Sequence, residues 1–169
     1  VRKMKTIGLI GNPNSGKTTL FNALTGSNQH IGNWPGVTVE KKEGIFTLPE
    51  AGKATIVDLP GIYSLMATSE DEKASLEYLL SGQADMFINI LDATTLERNL
   101  YLTLLLCEMK VPMVVVVTMM DIALSRRTII DLDHLSKHLG VPVIGVNANN
   151  PRDIKKIVTL LDSEINSPK

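Results

Sequence analysis

The stretch Thr6–Thr18 constrains this chain more than any other. Thr6–Ile10 is a short apolar run that reads as a buried strand. It leads into Gly11-Asn12-Pro13-Asn14-Ser15-Gly16-Lys17-Thr18, which matches G-x-x-x-x-G-K-[ST], and Lys17–Leu24 then reads as a helix. Glycines let the backbone curl so that successive N–H groups point inward at phosphate oxygens. The N-terminus of the following helix adds its partial positive charge. Lys17 brings a compact cation to the β- and γ-phosphates, and Thr18 offers a hydroxyl to Mg²⁺. The phosphate-binding candidates are Gly11, Asn14, Ser15, Gly16, Lys17, Thr18 and Thr19. The bland alternative, a strand–helix turn with no ligand, is disfavoured by the complete motif in its proper context.

Downstream, β-branched runs alternate with longer helical patterns. Strands are expected at Val39–Leu48, Ala54–Val57, Met86–Leu91, Met113–Val117 and Val141–Val146. Helices are expected at Ser69–Leu80, Leu96–Met109, Asp131–Leu139 and Pro151–Ile165, the last with proline in its first turn. The nearly pure valine run Met113–Val117 suits a central parallel strand covered on both faces. This alternation implies a doubly wound α/β fold with ligands at the carboxyl ends of the strands. The 169 residues fit one domain, with no internal repeat or long linker.

Later segments choose the nucleotide. Asp58-Leu59-Pro60-Gly61 follows a short strand, where Asp58 can hold Mg²⁺ through a water and the Gly61 N–H can meet a γ-phosphate. Between it and the glycine loop stands Gly36-Val37-Thr38, whose threonine can close over the nucleotide with its hydroxyl on Mg²⁺. Gln29–Thr38 and Gly61–Ser69 then read as mobile segments ordered by the γ-phosphate. After the valine strand stands Thr118-Met119-Met120-Asp121, where GTPases usually carry Asn-Lys-x-Asp. A buried Asp121 carboxylate would accept from guanine N1–H and the 2-amino group, a donor pair adenine lacks. Met119 can pack on a base face, while Thr118 is shorter than the usual asparagine and offers one hydroxyl. GTP preference, weaker affinity and fast GDP release are the expectation. Asn147-Ala148-Asn149 reads as the base-capping loop, with N–H groups near Ala148 facing guanine O6. Together these segments imply an α/β P-loop NTPase of the Ras-like GTPase fold, with a mostly parallel six-stranded sheet flanked by helices.

The net charge of −1 gives no general attraction for nucleic acid or anionic membrane. The single cysteine, Cys107, excludes an internal disulfide framework and reads as a small core residue. No signal peptide is visible, and no apolar run approaches the ~20 residues of a membrane helix. The chain is expected to be soluble, while remaining compatible with being part of a longer membrane protein.

Four stretches carry a more specific likeness: GNPNSGKTTLFN at Gly11–Asn22, NWPGVTVEKK at Asn33–Lys42, DLPGIYSL at Asp58–Leu65 and DATTLERNLYLTL at Asp92–Leu104. The chain resembles the amino-terminal GTPase (G) domain of the bacterial ferrous iron transport protein FeoB. The resemblance implies GTP hydrolysis with slow intrinsic turnover, with residues 1–169 as a single G domain at the cytoplasmic face of the bacterial inner membrane. It implies a helical regulatory domain and a membrane permease later in the same chain as partners, and oligomerisation through those segments. It further implies potassium activation, since Ile62 stands where Ras-like enzymes place a glutamine and no arginine lies in the switch segments. Asn14 matches the asparagine that ligates K⁺, and carbonyls near Gly32 and Trp34 would complete the cage. The catalytic set on this reading is Asn14, Lys17, Trp34, Thr38 and Gly61. The plainer alternative makes Asn14 a turn residue and Trp34 a hydrophobic plug.

Two rivals are a ribosome-assembly GTPase of the Era/Der type, which would need an RNA-binding surface, and a P-loop small-molecule kinase, which would need an acceptor site. His134 and His138, four apart on an expected helix, read as a solvated face before a metal site. His30 in the first switch is assigned no ligand. Glu70, Asp71 and Glu72 read as a helix start.

Overall fold

A computed structural model describes residues 4–13 and 15–166. Its strands are β1 (Lys5–Gly11), β2 (Gln29–Asn33), β3 (Glu40–Leu48), β4 (Gly52–Asp58), β5 (Met86–Asp92), β6 (Met113–Thr118) and β7 (Val143–Gly145). Its helices are α1 (Lys17–Thr25), α2 (Glu70–Ser81), α3 (Leu96–Glu108), α4 (Met120–Ser125), α5 (Leu132–Leu139) and α6 (Pro151–Asn166), with a 3₁₀ turn over Ala93–Thr95 before α3. The strands form one sheet in the order β2-β3-β4-β1-β5-β6-β7. Strand β3 runs antiparallel to both neighbours, and all other pairs are parallel.

The sheet is buried on both faces because its central strands alternate between two apolar layers. Val114 and Val116 join Ile7, Leu9, Leu20, Phe21, Ile88, Ile157 and Leu161 in one cluster, beneath α1 and α6. Val115 and Val117 join Ile10, Leu59, Tyr78, Phe87, Leu102 and Leu106 in the other, beneath α2 and α3. Val114–Val117 are all fully buried, each worth about 1.5–3 kcal/mol over exposure. Helix starts follow local chemistry. The Ser69 hydroxyl accepts from the Glu72 N–H at 3.1 Å, and Asp131 accepts from the His134 N–H at 3.0 Å. Hydroxyls of Thr68 and Ser69 donate back to the Glu72 carboxylate, and these bonds, Thr68 first, hold its pKa below the usual glutamate value.

The sheet has seven strands, not six. The added strand, β2, occupies the first half of the segment expected as a mobile switch. Its five residues are mostly exposed, so no hydrophobic period announces it. It forms because its backbone pairs with β3, from Gln29 opposite Gly44 to Asn33 opposite Glu40. The Gln29 amide pins its start to the end of α1 through Asn22 Oδ1 at 2.8 Å and Thr25 Oγ1 at 3.0 Å. Helix α4 was also not expected; it is short and buries only Ala123. The last strand is shorter than expected. Cys107 is half-buried on α3, and burial pushes its thiol pKa up. Among the described residues, no helix is long and apolar enough to cross a membrane.

Candidate nucleotide site

Four loops meet at the carboxyl ends of β1, β4, β6 and β7. The first follows β1. Gly16 has φ 92°, a left-handed conformation that only glycine adopts cheaply, and it caps α1 without a side-chain hydrogen bond. The first turn of α1 carries no acid, whereas α2 opens with Ser69 and three acids. Among the described residues, no acid in its first turn and no side-chain cap offset the positive potential at the amino end of α1. The side-chain oxygens of Asn12 and Ser15 are buried with no hydrogen-bond partner among the described residues. Beneath the loop, fully buried Asn89 donates to the Ile10 carbonyl at 3.3 Å and accepts from the Thr103 hydroxyl at 2.5 Å. This bracing joins α3 and β5 to the end of β1.

The second loop follows β4. Lys17 Nζ lies 2.5 Å from Asp58 Oδ1, with the two side chains 11% and 8% exposed. They border a hollow of about 190 Å³ lined also by Val39, Glu40, Lys42 and Pro60. Gly61 presses on the glycine loop: a Cβ there would lie 2.7–2.8 Å from the backbone of Pro13. The Ile62 N–H donates to the Gly11 carbonyl at 3.0 Å, latching the two loops together.

The third and fourth loops follow β6 and β7. Thr118, 2% exposed, donates its hydroxyl to the Ser15 carbonyl at 2.8 Å, with the Leu91 carbonyl at 3.2 Å. Met119 has φ 59°, a strained left-handed position for a side-chain-bearing residue. It turns the chain so that Asp121 stands in the first turn of α4. The Asn147 side-chain oxygen accepts from the Asp121 N–H at 2.9 Å, and Asp153 accepts from the Asn147 N–H at 2.9 Å. Asp121 is exposed rather than buried, and its carboxylate makes no hydrogen bond among the described residues. The Ala148 N–H likewise takes no partner there.

The sequence-derived residues thus divide. Gly11, Ser15, Gly16, Lys17, Asp58, Gly61 and Thr118 come together in direct contact, and Asp121 is joined to Asn147. Thr18 and Thr19 are exposed on the first turn of α1. Thr38 is exposed, and neither it, Gly32 nor Trp34 lines the hollow beside Lys17. Gly32 lies in β2, opposite Lys41. Trp34 is 7% exposed, edge-on to Tyr78 with centroids 5.5 Å apart, and Lys41 Nζ sits 4.7 Å over its ring. Its carbonyl accepts from the Val37 N–H at 3.2 Å, and its Nε1 is buried without a partner among the described residues. Asn14 lies outside the described residues. Sequence reasoning missed the roles of Asn89, Thr103, Asp153 and the Asn147 side chain. An aspartate in the first turn of α6 was the one available signal among them.

A hollow of about 730 Å³ lies between the Ala93–Thr95 turn and α5 and shares no residue with the glycine loop. It is larger than the hollow at Lys17, but it lacks the loop's convergent donors, so volume does not select the site. His134 and His138 stack at its rim with centroids 6.0 Å apart, both exposed. No group of three or more His, Cys, Asp or Glu side chains is placed to hold a metal among the described residues.

A family model described as Ferrous iron transport protein B matches residues 5–161. The chain belongs to the FeoB family. The Fe(2+) transporter FeoB of Escherichia coli K12 is 53% identical over 164 residues, which cover 95% of this chain and 21% of that protein. Its Salmonella typhimurium counterpart is 52% identical with the same coverage. The chain therefore spans about a fifth of the length of these FeoB relatives. The cytosolic domain of T. maritima FeoB in a GDP form superposes with a TM-score of 0.94 at 40% identity, covering 100% of this chain and 66% of that one. The same T. maritima domain is also known in a GMPPNP form, with TM-score 0.87, 43% identity and 96% and 62% coverage. The fold is thus that of FeoB G domains, a P-loop GTPase architecture.

Proposed function

We propose that this domain binds GTP, hydrolyses it slowly to GDP and phosphate, and acts as the nucleotide switch of a ferrous iron transporter. The observation that carries the reading is the convergence on Lys17: its ammonium meets Asp58 at 2.5 Å at the open amino end of α1. The guanine base lies against Asp121, with the Ala148 N–H toward O6. The Met119 thioether chain packs on the ring. Gly11, Ser15, Gly16, Lys17, Thr18 and Thr19 hold the phosphates.

The donor set fits Mg²⁺, which prefers hard oxygens. Thr18 and Asp58 would hold it, joined by Thr38 when the first switch closes. The ion would supply neutralisation of charge on the β- and γ-phosphate oxygens. In hydrolysis water attacks the γ-phosphorus, the bond to the β–γ bridging oxygen breaks, and GDP leaves with that electron pair. Ile62 carries no group that could orient the water, so backbone groups of the Trp34–Gly36 turn do so, and the Gly61 N–H steadies the γ-phosphate. Asn14, with carbonyls of Gly32 and Trp34, would hold K⁺ in place of an arginine's charge.

The domain is read as the N-terminal part of a longer chain at the cytoplasmic face of the inner membrane. Its proposed partners are a helical regulatory domain and a permease. Calorimetry with GDP and ADP, followed by turnover in potassium and in sodium, tests the proposal. Clear preference for GDP and faster hydrolysis in potassium, lost in Asn14→Ala, are expected. Equal affinity for GDP and ADP would end the guanine assignment, and equal rates in both salts would end the potassium assignment.

A further inference from the structure

Thr118 closes β6 with its side chain almost wholly buried. A hydroxyl has one proton to give. Here that proton faces the Ser15 carbonyl at 2.8 Å, with the Leu91 carbonyl at 3.2 Å behind it. Both partners are backbone carbonyls, which only accept, so the direction of donation is fixed. The glycine loop covers the hydroxyl: a Cβ on Gly16 would stand 3.3 Å from Thr118 Oγ1. The next two residues, Met119 and Met120, have side chains with no donor at all. Asp121 donates its own N–H to Asn147.

The purine ring nitrogen N7 can only accept. An asparagine at position 118 would have two amide protons, one for the loop carbonyl and one for N7. Threonine has one, and it is committed to the loop. Resting on the guanine-nucleotide reading above, we infer that Thr118 positions the phosphate loop and leaves N7 unread. Base recognition then falls on the Watson–Crick edge, through the Asp121 carboxylate and the Ala148 N–H. The ligand class widens accordingly to 7-deazaguanine nucleotides, which keep that edge and replace N7 with a carbon.

The test compares GDP with 7-deaza-GDP by calorimetry on this chain and on Thr118→Asn. For the native chain the two dissociation constants are expected to agree within about threefold. For folded Thr118→Asn, GDP is expected to bind roughly threefold to tenfold more tightly than 7-deaza-GDP, the worth of one net hydrogen bond. A larger deficit for 7-deaza-GDP in the native chain overturns the inference while leaving the guanine reading standing. Equal binding of both nucleotides to a folded Thr118→Asn overturns it as well. Should that variant not fold, the native comparison decides alone. No binding of either nucleotide to the native chain overturns the guanine reading and this inference together.

Discussion

Lys17 and Asp58 neutralise each other across the mouth of the phosphate loop, 2.5 Å apart and both largely withdrawn from solvent. Each is therefore the other's main compensation until a phosphate and a metal ion take over those roles. Removing one partner strands a buried charge, which costs about 3 kcal/mol or more. Lys17→Met should lower the thermal midpoint of the nucleotide-free domain by roughly 6–12 °C. The double variant Lys17→Met/Asp58→Leu should recover much of that loss. Differential scanning calorimetry without nucleotide checks this, and a double variant no more stable than Lys17→Met would refute it.

Gly61 makes a second prediction. Its Cα hydrogen faces the Pro13 backbone so closely that any Cβ must push the two loops apart. Gly61→Ala should break the latch from the Ile62 N–H to the Gly11 carbonyl and displace the donor proposed for the γ-phosphate. GDP affinity should change by less than about threefold, since GDP has no γ-phosphate to lose. Single-turnover GTP hydrolysis should fall by roughly 100-fold or more, the scale of losing one oriented donor in a transition state. Parallel loss of GDP affinity would instead indicate collapse of the phosphate loop.

Trp34 is the sole tryptophan and a built-in reporter. It is buried against Tyr78 and beneath Lys41, while Thr38, four residues on, is exposed and does not line the hollow beside Lys17. If Thr38 swings in toward a γ-phosphate, the turn that holds Trp34 must shift. A non-hydrolysable GTP analogue with magnesium should red-shift its emission and raise quenching by acrylamide, whereas GDP should not. Identical spectra for both nucleotides would argue against a moving first switch.

Tyr78 carries the pH dependence. Burial pushes its phenol up to about 12, with Glu43 and Asp85 adding repulsion of the phenolate. The folded pKa lies above the unfolded value near 10, so the protonated phenol stabilises the fold fully below that value. The contribution is lost as pH rises from about 10 through 12. Urea unfolding should show a steep loss of stability across that window, flattened in Tyr78→Phe.

Much of this was legible in the chain because it rests on local rules. The glycine loop, the valine strand and the Ser69 and Asp131 helix starts are written in adjacent residues. The FeoB likeness lay in four contiguous segments and needed no tertiary information. Strand β2 was not legible, because its exposed residues carry no apolar alternation and its pairing comes from the backbone of β3. Nor was the Thr118–Ser15 bond, which joins residues 103 positions apart. Asp121 was expected to be buried, yet it stands exposed in the first turn of α4, a short helix that buries only Ala123. Trp34 packs as a hydrophobic plug by its ring, although its carbonyl lies in the turn where a ligand role is proposed.

The antiparallel outer ribbon has a mechanical consequence. Gly32 lies opposite Lys41, and Lys42 lies opposite Asp58. Two ladders that share β3 therefore link the edge strand β2 to the carboxylate beside Lys17, the inner one being the β3–β4 ladder. A register slip of one residue along that ladder would invert every side chain it carries. Phe46 and Leu48, buried on β3, would then leave the core, so burial holds the register that sets Lys42 opposite Asp58.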